Sequence, residues 1–277
     1  MKYRHRFHAG NFADVHKHVT LLALLNALKR KDKPFAYFET HAGRGVYDLS
    51  GGSEEASHGI ERLIGVEPRA PALRDYSALI SDFRAQRGNR WLYPGSPAIA
   101  AQALRSQDRA VLCELVAAEA RVLEQEVQFT SRAQVERGDG YQRLRAWLPP
   151  RERRGLTFMD PPYEEVGSDF DRVTGAVIDA LHRFSTGVIA VWYPIKEERQ
   201  VAGWRSALVR SIGREALAAE LWLYPRDSRV ALNGSGMMIV NAPYQLEDTL
   251  RDCLPELQTL LDVGQPGGTS VTKLAPG

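Results

Sequence analysis

Cysteine is scarce in this chain: Cys113 and Cys253 are the only two in 277 residues. Two cysteines cannot build a disulfide framework or a four-cysteine zinc site, so a reducing compartment fits. Long apolar runs are missing as well. The longest, residues 19–28, is too short to span a bilayer and is interrupted by Thr20 and Asn26. The first residues are charged rather than apolar, so no secretory signal is expected. There is no internal repeat and no low-complexity segment, and 44% hydrophobic with 25% charged residues is ordinary globular composition. These absences exclude the membrane, secreted and disordered classes. What remains is a cytoplasmic protein of one large domain, or one domain carrying an insertion.

Strong net charge is also lacking, at +2, but its distribution is uneven. Residues 1–33 carry eight Lys or Arg against Asp14 and Asp32, a local excess of +6. A basic end on a near-neutral chain suits phosphate contact at one face. By itself it reads more readily as a solvated basic helix end.

Apolar spacing predicts an amphipathic helix over 11–30, with Asn11 as cap, then a buried strand over 35–40 ending in a glycine loop. Residues 51–95 show helical rather than strand periodicity and read as a helical insertion within a single domain over 1–277. Ser96-Pro97 opens the next helix, with Ser96 as its cap. Strands at 110–115, 133–136, 156–159 and 188–193 then alternate with helices, which argues for a parallel sheet covered on both faces. Two strand-like runs, 217–224 and 237–241, are joined by a loop too short for a crossover helix, so they form an antiparallel hairpin. Seven strands ending this way describe an α/β, Rossmann-like sheet of the class I S-adenosylmethionine methyltransferase type. The tail 264–277 is rich in Gly, Pro and Thr and reads as partly disordered.

The most informative motif is Asp160-Pro161-Pro162-Tyr163, directly after the apolar strand 156–159. Composition alone gives roughly one such tetrad per 10⁵ positions, so chance is a poor explanation. An exocyclic amine on a base is a weak nucleophile, because its lone pair is delocalised into the ring. A carboxylate and a backbone carbonyl that accept its two N–H bonds draw the nitrogen toward tetrahedral geometry. Two prolines stiffen the turn and remove competing N–H donors. Tyr163 offers a face for stacking the target base, worth ~1–3 kcal/mol.

Weaker signals sit at the other strand ends. Glu39-Thr40-His41-Ala42-Gly43-Arg44-Gly45 follows the first strand, with His41 where a cofactor loop usually has its first glycine. No helix begins at once after it, which argues against a pyrophosphate site. Glu114 ends the next strand, where an acid accepts from the ribose hydroxyls of the cofactor; alone, it is equally a surface ion pair. Asp139-Gly140 follows the third strand, the place for a group near the cofactor adenine, although an Asp-Gly turn is the commoner meaning. Acids at four successive strand ends reinforce one another. His5, His8, His16 and His18 cluster near the N-terminus, but His16 and His18 lie on different faces of the predicted helix. No metal site is expected.

With these motifs on the page, the chain resembles the RlmJ family, the bacterial 23S ribosomal RNA adenine-N6 methyltransferases. The resemblance runs over nearly the whole chain. It rests on Tyr3-Arg4-His5, on Phe7 to Asn11, on Ala13-Asp14-Val15 with Lys17-His18, and on Thr40-His41-Ala42-Gly43. It continues through Tyr93-Pro94-Gly95-Ser96-Pro97, Arg137 to Gly140, the Asp160 tetrad and Trp192-Tyr193-Pro194. It implies S-adenosyl-L-methionine as cofactor, held by His18, His41, Ser96, Glu114, Asp139, Gly140 and Asp160. It implies Asp160 as the proton acceptor at the amine, Tyr3 on the RNA, and His5 and Lys17 assisting. It further implies 23S rRNA, free or in early assembly intermediates, as partner to a monomer. The sequence departs from the family at Val116-Ala117, where His-Pro is usual, and at 241–244, where Asn-Pro-Pro is usual.

The tetrad alone does not separate adenine N6 from guanine N2, RNA from DNA, or a base from a side-chain amide. A nicotinamide-dependent oxidoreductase is opposed by the form of the glycine loop and by the terminal hairpin. A non-catalytic RNA-binding module leaves the tetrad without a purpose.

Overall fold

The computed structural model describes residues 9–128, 132–229 and 232–276. The chain opens with helix α1 (Phe12–Lys29), and Asn11 caps it by accepting from the Asp14 amide at 2.9 Å. Strand β1 (Ala36–Glu39) follows, then a short ribbon strand β2 (Val46–Asp48). Helices α2 (Glu54–Ser57) and α3 (Pro71–Arg87), with a 3₁₀ turn over Ile60–Leu63 between them, precede ribbon strand β3 (Leu92–Pro94) and α4 (Ser96–Ala103). The alternating part comprises β4 (Arg109–Glu114), α5 (Ala117–Val127), β5 (Ala133–Arg137), α6 (Gly140–Trp147), β6 (Gly155–Met159), α7 (Val166–Arg183), β7 (Val188–Ile195) and α8 (Glu198–Ile212). The chain closes with β8 (Ala216–Trp222), β9 (Gly234–Val240), α9 (Leu246–Leu261) and β10 (Gly268–Leu274).

The main sheet runs β10-β8-β9-β7-β6-β1-β4-β5. Strands β5, β4, β1, β6 and β7 are mutually parallel, while β9 lies antiparallel between β7 and β8. This is the class I methyltransferase order, with the expected hairpin at its end. The strand number differs from the sequence expectation: eight strands share the sheet, not seven. The additional one is β10, inside the tail that reads as disordered. It pairs antiparallel with β8 over seven residues, burying Val271 against the core. Pairing along an open sheet edge outweighs the weak strand propensity of a Gly- and Thr-rich segment.

Two further expectations change. The 51–95 stretch is not free of strand, because β3 pairs with β2 and closes the helical segment into a loop anchored at its base. Ser96 is the first residue of α4 and not its cap; Gly95 is the cap, and the Ser96 hydroxyl instead serves Glu39.

Helices α1, α3, α4, α5 and α9 share one face of the sheet and α6, α7 and α8 the other, each with its own core. Helix α1 is buried on nearly all sides rather than amphipathic, since α3 and α9 pack over the face that would otherwise meet water. Fully buried Leu21, Leu24 and Leu25 each contribute about 1.5–3 kcal/mol of transfer free energy. That burial supports a helix whose first two turns also carry Asp14, His16, Lys17 and His18 out of water. No helix among the described residues is long and apolar enough to cross a membrane.

Candidate active site

In an open, largely parallel sheet, ligands gather at the carboxyl ends of the strands, where loops leave the layer in different directions. Glu39, Glu114, Asp139 and Asp160 all stand at or just beyond such ends, on β1, β4, β5 and β6. Helix α1 adds side chains from the side. Its Asp14, Lys17 and His18 are spaced i, i+3, i+4 and therefore share one face.

The densest electrostatic contact joins Lys17 to two acids. Its Nζ lies 2.7 Å from Asp14 Oδ1 and 2.6 Å from Asp160 Oδ2. Burial alone would lower the lysine pKa, but the charges of Asp14 and Asp160 outweigh it and hold the ammonium above its ordinary value. Asp14 Oδ2 also accepts from the Gly10 amide at 3.0 Å. Among the described residues, Asp160 Oδ1 has no hydrogen-bond partner, so one oxygen of that carboxylate remains to accept from a ligand.

Next along the sheet edge is the glycine loop. The Gly43 amide donates to Glu114 Oε2 at 2.8 Å, and the Val116 amide donates to Oε1 at 2.7 Å. Glu114 thus fixes the loop while keeping a second lone pair on each oxygen. Gly43 and Gly45 adopt φ of 64° and 81°, the left-handed region that favours glycine, which keeps the loop close to the sheet. His41 bonds Thr40 Oγ1 through Nδ1 at 2.8 Å and meets Tyr141 edge-on at 4.8 Å. Its burial lowers its pKa to about 4, so the imidazole is neutral.

Asp139 caps α6 by accepting from the Tyr141 amide at 2.9 Å, and its other oxygen faces Arg172 at 3.6 Å. Gly140 is demanded by packing: a Cβ there would lie 2.1 Å from the Thr40 carbonyl oxygen. The Asp-Gly pair therefore locks the β5 end onto the β1 loop.

Glu39 is fully buried, receiving Ser96 Oγ at 2.5 Å and Tyr37 OH at 2.9 Å. Burial raises its pKa to about 8 despite those two donors. His18 pairs through Nδ1 with Tyr93 OH at 2.7 Å, and Tyr93 in turn meets Tyr76 OH at 3.1 Å. His16 points elsewhere, to Ser235, so the two histidines do not converge. No group of three metal-ligating side chains is found among the described residues.

Tyr163 does not offer the stacking face that its place in the tetrad implies. It is 3% exposed, lies edge-on to Phe170 and Trp192, and donates its hydroxyl to the Trp192 carbonyl at 2.8 Å. Its φ of 47° turns the side chain away from the strand direction and into the core. Tyr3 and His5 lie outside the described residues. Sequence reasoning gave no role to Asp14, Trp192 or the Arg44–Glu119 pair at 2.7 Å. For Asp14 a signal existed: a charged i, i+3 pair inside an otherwise apolar helix.

The chain as a whole is similar to known proteins. A family model described as "Ribosomal RNA large subunit methyltransferase D, RlmJ" matches residues 32–274. The chain belongs to the RlmJ family of ribosomal RNA large subunit methyltransferases. It is 40% identical to Ribosomal RNA large subunit methyltransferase J of Escherichia coli, over 100% of this chain and 99% of the relative. It is 36% identical to the Haemophilus influenzae protein of the same name, again over 100% and 99% of the two chains. A crystal structure of a Legionella pneumophila protein superimposes with a TM-score of 0.83 at 37% identity, covering 97% of this chain and 98% of the other. Membership makes the enzyme a methyltransferase, and the fold is the one that binds S-adenosylmethionine. The donor set of this RlmJ-family chain fits that cofactor: an acid at the β4 end, with Leu115 and Val116 beside it 68% and 54% exposed, offers a polar edge for a ribose and an apolar one for a purine.

Proposed function

We propose that the protein transfers a methyl group from S-adenosyl-L-methionine to the exocyclic N6 of an adenine in 23S ribosomal RNA. The observation that carries this is the Asp160 carboxylate, at the end of β6 in the Asp-Pro-Pro-Tyr turn, with one oxygen held by Lys17 and the other without a partner among the described residues. When bound, S-adenosylmethionine supplies an electrophilic methyl group on a sulfonium. The residues of this chain do the rest. Asp160 Oδ1 and the Pro161 carbonyl accept the two N6–H bonds and localise the nitrogen lone pair. Lys17 holds Asp160 Oδ2, and the carboxylate stabilises positive charge developing at N6 and accepts the departing proton. Glu114 and the Asp139-Gly140 turn hold the nucleoside part of the cofactor; His41, His18 and Ser96 shape its loop from behind. Tyr3 and His5 belong to the RNA contact, and Lys17 assists by holding Asp160 in place for the base. The whole chain acts as one monomeric unit in the cytoplasm without a metal, residues 51–95 forming its helical insertion, on free 23S rRNA or an early assembly intermediate.

Asp160→Asn keeps an acceptor oxygen and removes the charge. Cofactor affinity is expected within several-fold of wild type and turnover lower by at least ~10². The assay is methyl transfer from labelled cofactor to protein-free 23S rRNA, ribosomal subunits and DNA in parallel. Near-normal turnover would remove Asp160 from the chemistry, and transfer to DNA alone would overturn the substrate.

A further inference from the structure

The basic excess of residues 1–33 does not lie on one face. Lys17 reaches Asp160 at the carboxyl end of β6, whereas Lys29, Lys31 and Lys33 lie at and beyond the C-terminus of α1, just before β1 begins. Two other segments join them at the amino ends of the parallel strands: 105–109, which opens β4, and 151–154, which leads into β6. Backbone carbonyls tie the three together. Arg105 donates to the Lys29, Lys31 and Lys33 carbonyls at 3.4, 3.1 and 2.9 Å. Arg154 donates to those of Leu28 and Lys33 at 2.8 and 2.6 Å. Residues 29–33, 105–109 and 151–154 hold nine Lys or Arg against three acids, an excess of +6 on a chain whose net charge is +2.

Part of this charge has a structural purpose. Arg105 and Arg154 satisfy carbonyls at the end of α1, where the helix dipole also favours a cation. Asp108 receives Arg105 at 2.9 and 3.0 Å, and Glu152 receives Arg109 at 3.0 and 3.2 Å. Asp32, the third acid, is 98% exposed and stands 3.7 Å from Arg105. Lys31, Lys33 and Arg153 are left over. All three are exposed, and none of their side chains has a partner among the described residues. Arg153 also holds a φ of 52°, a left-handed conformation that glycine adopts more cheaply. The crowding is felt within the fold: burial first, and the Arg105 charge second, depress the pKa of both Lys29 and Arg154. An anion at this face would relieve that repulsion.

We propose that the amino-end face of the sheet, centred on Lys31, Lys33 and Arg153, binds the sugar-phosphate backbone of an rRNA segment remote from the target adenine. It rests on the rRNA substrate proposed above. Strand β6 alone is roughly 16 Å long, so Asp160 and this face stand at opposite ends of the sheet, and the nucleotide at Asp160 is not the one held here. The partner class follows from composition. None of the residues in the three segments is apolar, which suits a polyanion and not the apolar centre of a protein interface. Phosphate contacts fix position without reading sequence. A second foothold on the same polymer raises the effective concentration of the target beside Asp160 and leaves the chemistry untouched.

The test uses Lys31→Gln/Lys33→Gln/Arg153→Gln in the full chain, with the charge-keeping Lys31→Arg/Lys33→Arg/Arg153→Lys beside it. Affinity is read by filter binding, and kcat and KM by methyl transfer from labelled cofactor. The RNAs are protein-free 23S rRNA, ribosomal subunits and a short hairpin cut around the adenine that wild type methylates. The Gln variant is expected to bind 23S rRNA at least ~5-fold more weakly, with a slope of log affinity against log salt shallower by ~2–3 for three lost phosphates. KM should rise with it. Turnover, S-adenosylmethionine affinity by calorimetry and every reading on the hairpin should stay at wild-type values, and the charge-keeping variant should bind as wild type does. Unchanged affinity for 23S rRNA overturns the proposal. An equal loss on 23S rRNA and the hairpin overturns it too, since net charge and not a remote contact would then be responsible. A loss confined to ribosomal subunits would assign the face to a ribosomal protein and overturn the RNA contact. If wild type methylates a different nucleic acid, the substrate reading fails on its own, and filter binding of 23S rRNA by the two variants still decides the role of this face.

Discussion

Replacing Lys17 with Met keeps the length of the side chain and removes its charge, leaving two carboxylates facing a space almost closed to water. The side chains of Lys17, Asp14 and Asp160 are 4%, 5% and 12% exposed. At contact distances of 2.6–2.7 Å each ion pair is worth roughly 6 kcal/mol of attraction at an effective dielectric of about 20. Desolvation of three charged groups offsets most of that. Deleting the cation removes the attraction and leaves the acids desolvated, which is why breaking a buried pair costs about 3–5 kcal/mol. Urea unfolding of Lys17→Met is expected to show a loss of that size. Asp14→Asn added to it should restore part of the loss, because the amide oxygen still accepts from Gly10 without carrying charge. The pH dependence has a definite sign. The folded-state pKa of Lys17 is raised, so its contribution is complete below the unfolded value of about 10.4 and is lost only as pH rises through the folded one. The difference between wild type and variant should therefore not shrink between pH 7 and pH 9. A variant within about 1 kcal/mol of wild type would refute the reasoning and show that water relieves the acids.

Glu39 has a folded pKa raised by burial to about 8. Its folded form takes up a proton that the unfolded form lacks, so stability falls as pH climbs from about 4.5 to 8, by up to ~1.4 kcal/mol per unit. Glu39→Gln should flatten that decline in urea midpoints, and an unchanged slope would refute the assignment. Glu114→Ala should weaken S-adenosylmethionine binding by about 1.5–3 kcal/mol, since the ribose and the Gly43 amide lose a charged acceptor; unchanged affinity by calorimetry would place the ribose elsewhere. Deleting residues 1–6 should spare cofactor binding and abolish or greatly reduce rRNA methylation, because phosphate and stacking contacts must hold the strand while a base is out. Normal methylation by the truncated protein would make the basic stretch a solvated surface.

Local patterns in the chain carried the sheet and the tetrad well, because both are written in contiguous residues. The alternation of 110–212 and the short link between the last strands follow from periodicity, and Asp160 follows from one turn. What failed depended on partners far away in sequence. Helix α1 reads as amphipathic until α3 and α9 are known to cover it. Ser96 reads as a cap until buried Glu39, 57 residues earlier, claims its hydroxyl. The tail reads as disordered until β8 offers an open edge. Tyr163 reads as a stacking face until its positive φ turns it inward. Side-chain type was legible in each case and side-chain direction was not.

The concentration of polar groups in α1 has a physical consequence for how the site is built. A buried helix gains little in stability from charge, and apolar residues at positions 14, 17 and 160 together would avoid the desolvation of three ions. Three side chains of α1 nevertheless take partners on three separate segments: Lys17 on the β6 end, His18 on β3 and His16 on β9. None of these bonds forms unless the helix is docked in one rotation and one depth. A one-residue slip would leave all three unsatisfied, each at about 1–3 kcal/mol or more for the charged group. The helix is thereby registered against the strand ends to within a hydrogen-bond length, and Asp160 with it. The role proposed for Asp160 needs that constancy more than it needs stability, since acceptor geometry at the amine would decide whether the lone pair is available. Because the bonds share one rigid element, the substitutions that break them cannot be additive: once Lys17 is gone, altering Asp160 removes a contact that has already been lost.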